Sequence, residues 1–147
     1  MHHFNSSLVK GQEGEALFAS YFPHLIRLSG YQSDFVNPRT DKTYELKSDK
    51  RSTIATPNVF LETISNRDKG TPGGAYQANK NGTDYFVYMF SDKLAMIFST
   101  KRLAAWVKAN ESKYKHINIY NNTHVTVGII VPRTDLKRIA RFIKVSV

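Results

Sequence analysis

Apolar residues recur along this chain with two different periods, and the period predicts the element. From Ser7 to Phe22, Leu8, Gly11, Glu15, Phe18 and Phe22 follow one another at steps of three and four. That spacing predicts a first helix, which Pro23 stops. A short loop or strand follows through Ile26 and Leu28. Ser33 to Val36 and Thr43 to Ser48 read as two strands, because the intervening Asn37-Pro38-Arg39-Thr40-Asp41-Lys42 is rich in turn formers. Asn58 to Ile64 is a third strand, followed by the loop punctuation Gly70-Thr71-Pro72-Gly73-Gly74. A short helix is expected from Ala75 to Lys80, before Asn81-Gly82.

The run from Tyr85 to Phe90 is almost continuously apolar, which predicts a strand covered on both faces. Leu94 to Ser99 is expected to pair with it across Ser91-Asp92-Lys93. Thr100 is an apt N-cap for a helix reaching about Asn110. Val125 to Val131 reads as a further strand, broken by Pro132, and the steps of three and four after it predict a last helix from Thr134 to Phe142. A helix, several strands and flanking helices make an α/β domain with a mixed central sheet. At 147 residues, with no repeat and no linker, residues 1–147 are expected to form one domain.

Charge changes the picture. Lys and Arg number 21 against 12 Asp and Glu, a formal net charge of +9. A compact basic domain suits a polyanion such as DNA. The absence of cysteine excludes disulfides, Cys-ligated zinc and thiol nucleophiles, and fits a reducing cytoplasm. The first residues have no signal-peptide pattern, and no apolar run could span a bilayer. Neither a dinucleotide fingerprint nor a P-loop is present, no histidine spacing matches a metalloprotease helix, and no helix-turn-helix or zinc module is evident.

The chemistry-bearing segment is Asp34 with Glu45-Leu46-Lys47. Alternation along a strand puts Glu45 and Lys47 on one face and Leu46 on the other. If residues 37–42 close a hairpin, Val36 lies opposite Thr43 and Asp34 opposite Glu45. The Cβ atoms of opposed residues are about 4.5–5.5 Å apart, and like charges so placed are destabilising. One reading is an exposed strand face with an ion pair worth under about 1 kcal/mol, Asp34 being a turn residue beside Asn37-Pro38. The other is a site for Mg²⁺, a hard cation that takes carboxylates, a backbone carbonyl and waters. That ion would polarise a phosphodiester and activate water, with Lys47 beside it.

Asp34 followed by Glu45-Leu46-Lys47 resembles the PD-(D/E)XK nuclease motif, with Ser33 in place of the proline. Lys10-Gly11-Gln12-Glu13-Gly14-Glu15-Ala16 is similar to the start of the first helix in archaeal Holliday-junction resolvases, in which a glutamate reaches the metal. The matching residue is Glu15; Glu13 reads as an ordinary first-turn acid. The resemblance spans roughly residues 10–90. It implies a restriction-endonuclease-like fold and Mg²⁺-dependent hydrolysis of DNA, with Mn²⁺ able to substitute, on branched or junction DNA in the resolvase case.

In that reading the metal is held by Asp34, Glu45, Glu15 and the Leu46 carbonyl, and Lys47 assists the attacking water. Resolvases act as dimers, so a homodimer is implied by analogy. Glu62, on the next strand, is equally well read as an addition to the site or as a polar strand face; Gln77, on the short helix, is a candidate DNA contact or support for the site, against the commoner reading of an ordinary helix-surface residue. Lys50 and Arg51 are candidate DNA contacts. So is a basic stripe of Arg133, Lys137 and Arg141, with Lys144, on the last helix, whose alternative is a solvated face. The runner-up function is a DNA-binding or regulatory module that keeps the nuclease fold without catalysis.

Overall fold

The computed structural model describes residues 15–29, 33–48, 57–90 and 94–144. Lys10, Gly11, Glu13, Lys50 and Arg51 lie outside these residues. Residues 15–21 form helix α1. The strands are β1 (Ile26–Arg27), β2 (Phe35–Val36), β3 (Thr43–Ser48), β4 (Asn58–Asn66), β5 (Thr71–Pro72), β6 (Tyr85–Met89), β7 (Leu94–Ser99), β8 (His116–Tyr120), β9 (Val125–Pro132) and β10 (Ala140–Lys144). The remaining helices are α2 (Gly74–Lys80) and α3 (Thr100–Asn110).

The fold is α/β, with a mixed sheet of six strands in the order β1-β2-β3-β6-β7-β10. Only the β3–β6 pair in it is parallel. A clamp at the start of that pair sets its register. The Thr43 backbone N–H and hydroxyl both donate to Asp84 Oδ2, at 2.9 and 3.2 Å, and the Asp84 N–H donates back to the Thr43 hydroxyl at 3.2 Å. Burying both faces of β6 explains its unbroken apolar run. Val87 and Met89 join Phe18, Phe35 and Leu46 beneath α1. Phe86 and Tyr88 join the opposite core with α2, α3 and the second sheet.

Three expectations need correction. The third strand does not extend the central sheet: β4 lies in a separate four-stranded sheet, β5-β4-β9-β8. Strand β8, which pairs with β9 at the edge of that sheet, has no counterpart in the sequence reading: it is five residues long and only Ile117 and Ile119 are partly buried. The helix expected over residues 134–142 is instead a 3₁₀ turn, Arg133–Leu136, followed by strand β10, which pairs with β7. Apolar residues three and four apart suit a helix, but a free sheet edge at β7 offers a run of backbone hydrogen bonds that a nine-residue helix would not replace. Last, Ser99, not Thr100, caps α3: its hydroxyl accepts the Arg102 N–H at 3.4 Å.

Candidate metal and phosphodiester site

The β2–β3 hairpin has the register the turn predicts, with Val36 against Thr43 and Phe35 against Tyr44. Phe35 and Leu46 point into the core under α1. Strand alternation therefore sends Asp34, Glu45 and Lys47 to the other face, where Glu45 neighbours Phe86 and Lys47 neighbours Tyr88 on β6. Asp34 Oδ2 accepts the Leu46 N–H at 2.8 Å. The C=O of a strand residue leaves on the same side as its N–H, so the Leu46 carbonyl is directed to the edge that Asp34 occupies.

The electrostatics are those of crowded acids. Burial pushes the Glu45 carboxyl up to about 7; Lys47 opposes the rise, while Asp34 and Glu15 add to it. Burial likewise raises Asp34, opposed by the Leu46 N–H, with Glu15 adding to the rise. Burial works against the Lys47 ammonium, but Glu45, Glu62 and Asp34 outweigh it and hold its pKa above the ordinary lysine value. Lys47 Nζ lies 3.5 Å from Glu45 Oε1. Glu15 of α1 is paired with Arg27 of β1.

A cleft of about 230 Å³ opens beside Glu45 and Lys47, and Glu62, Gln77, Gly73 and Gly74 line it too. The pairing of β4 with β9 slips between Glu62 and Ile64, and such bulges redirect side chains. Two glycines allow α2 to approach β4 here. A Cβ on Gly74, whose φ is +54°, would stand 2.3 Å from the Glu62 carbonyl oxygen. One on Gly73 would stand 2.7 Å from Glu62 Oε1. The Gln77 amide donates to Asn81 Oδ1 at 3.0 Å.

The structure thus brings together Asp34, Glu45, Lys47, Glu62 and Gln77, with Glu15 in electrostatic reach. It does not bring the last basic residues there. Arg133, Lys137 and Arg141 share no helix face. Arg133 packs its guanidinium over the Phe90 ring at 3.5 Å, and Arg141 belongs to β10. That strand is three positions along the sheet from β3, roughly 14 Å at about 4.8 Å per strand. Sequence reading also missed Arg27, Asp84 and the Gly73–Gly74 contact. The Gly-Gly pair was visible as a turn signal, but nothing local ties it to Glu62.

Around this point Glu15, Asp34, Glu45 and Glu62 face Arg27 and Lys47, a formal surplus of two negative charges. Among the described residues no cluster of three or more His, Asp or Glu has ready-made metal geometry. What fits a hard dication is the donor chemistry: two carboxylates in a surplus of negative charge and a strand carbonyl, with room for water in the cleft. The chain matches no known protein-family model and no curated protein.

Proposed function

We propose that this chain is a divalent-metal-dependent DNA endonuclease with a restriction-endonuclease-like fold. The observation that carries the reading is the convergence of Asp34, Glu45 and Lys47 on one sheet face, where burial raises both carboxyls and nearby acids add to the rise, Glu15 for Asp34 and both Asp34 and Glu15 for Glu45. Such a pair relaxes when a dication replaces the missing positive charge. Asp34, Glu45 and the Leu46 carbonyl would hold Mg²⁺ or Mn²⁺, with Glu15 completing the acidic surround. The bound ion supplies a polarised phosphodiester and a water of lowered pKa.

The chain's own residues do the rest. Lys47 keeps its proton, so it acts as a fixed positive charge toward the phosphate and the attacking water. Its ion pair with Glu45 fixes the ammonium at the cleft mouth. Gln77 presents an amide on the same wall, and the net charge of +9 favours DNA as the polyanion.

The test is cleavage of supercoiled plasmid and of a four-way junction with Mg²⁺, against an EDTA control. Asp34→Asn and Lys47→Ala should each lower the rate by about 100-fold or more, the usual scale for losing a positioned charge or a metal ligand. Metal-dependent cleavage that both variants retain would overturn the assignment. Salt-sensitive DNA binding with no metal-dependent cleavage would support the non-catalytic module instead.

A further inference from the structure

A second cavity lies on the other face of the six-stranded sheet. It measures about 440 Å³, within the range of roughly 300–1,000 Å³ that small-molecule sites occupy. Among the described residues, α1 packs on that face through Phe18, and the cavity lies beside it, next to Ile97 of β7 and Ile143 of β10. Phe18 and Phe22 form one wall, and Tyr44 and Tyr85 meet at the base with rings stacked 5.0 Å apart at 26°.

Three arginines line the opposite side: Arg102 in the first turn of α3, Arg138 before β10 and Arg141 within it. All three are exposed. Among the described residues no acidic side chain lines the cavity. Among the described residues none of the three pairs with a carboxylate. Salt bridges do form elsewhere on this surface, as between Lys42 and Asp84. Three neighbouring like charges repel, and an anion placed between them removes that repulsion. Guanidinium forks match phosphate oxygens two at a time, and aromatic rings beside them offer a stacking surface for a base.

We propose that this cleft binds a nucleoside phosphate, its base against the Tyr44–Tyr85 aromatic wall and its phosphate held by Arg102, Arg138 and Arg141. The ligand is either a free mononucleotide or one nucleotide of a single strand, since both present the same chemistry. The site is independent of the proposed nuclease centre. Tyr44 and Glu45 are consecutive residues whose side chains leave β3 on opposite faces, and nothing in the arginine cleft calls for a metal.

The test is titration calorimetry of the full chain in EDTA with adenosine 5′-monophosphate, adenosine and inorganic phosphate. The nucleotide should bind about tenfold or more tighter than either fragment. The triple variant R102A/R138A/R141A should weaken it by about tenfold or more, since each charge-assisted contact contributes on that scale. Circular dichroism should stay unchanged, because all three side chains are exposed. Lys47→Ala, which removes the nuclease amine, should bind the nucleotide like the parent protein, so failure of the nuclease reading and of this one are separable. A 5′-phosphorylated single-stranded oligonucleotide that displaces the nucleotide identifies a strand as the ligand; one that leaves it bound identifies a free nucleotide. Unchanged binding in the triple variant, or inorganic phosphate binding as tightly as the nucleotide, overturns the proposal.

Discussion

Glu45 is a residue the metal-free fold is better off without. Its carboxyl titrates near 7 in the fold against 4.5 in an open chain, chiefly through burial, and its side chain is 20% exposed. The sign follows from proton counting. Between those two values the folded state holds a proton that the unfolded state has released, so stability falls as pH rises through that window. At about 1.4 kcal/mol per pH unit, ionised Glu45 costs the fold about 3 kcal/mol by pH 8. Glu45→Gln keeps the shape and an acceptor for Lys47 but never ionises. In EDTA at pH 8 the variant should therefore be more stable than the parent by up to about 3 kcal/mol, or roughly 6 to 12 °C in Tm for a chain of this size.

The advantage should shrink as pH falls through the window and vanish only below pH 4.5, where Glu45 becomes protonated in the unfolded chain as well as in the fold. Adding Mg²⁺ or Mn²⁺ at pH 8 should stabilise the parent more than the variant, by about 2.7 kcal/mol at a metal concentration 100 times Kd. Urea or thermal unfolding at pH 4.5, 6 and 8, with and without metal, reads all of this. Equal stability of the two proteins at pH 8 in EDTA, or a difference that does not change with pH, would mean that ionised Glu45 does not burden the fold.

The couplings of Glu45 give variants of opposite sign: Asp34→Asn should lower its midpoint, because Asp34 raises it, and Lys47→Met should raise it, because the ammonium holds it down. Carboxyl-carbon NMR titration without metal measures both, and shifts in the same direction would contradict the site geometry. Gly74→Ala should destabilise by about 1–3 kcal/mol or more, since it combines a left-handed backbone with a methyl 2.3 Å from the Glu62 carbonyl oxygen. Chemical denaturation checks this, and a loss under about 0.5 kcal/mol, the scale of an ordinary surface substitution, would mean that α2 and β4 are not in this contact.

Some features depend on near neighbours in the chain, and these were legible in its residues. The hairpin between Val36 and Thr43, the face shared by Asp34, Glu45 and Lys47, the doubly covered β6 and helix α3 all follow from local alternation, turn chemistry and apolar runs. Local periodicity has no access to competition for partners. Leu136, Ile139 and Ile143 satisfy a helical spacing, yet β10 became a strand because β7 left a row of backbone donors and acceptors that only a strand could fill. The same holds for the second sheet, which draws β4 away from β3 to meet β9. The elevated Glu45 carboxyl, the fit of Gly74 against Glu62, and the meeting of three arginines from α3, the turn before β10 and β10 itself are products of packing between distant segments. Charge and desolvation act through space, and the folded chain alone decides which groups share that space.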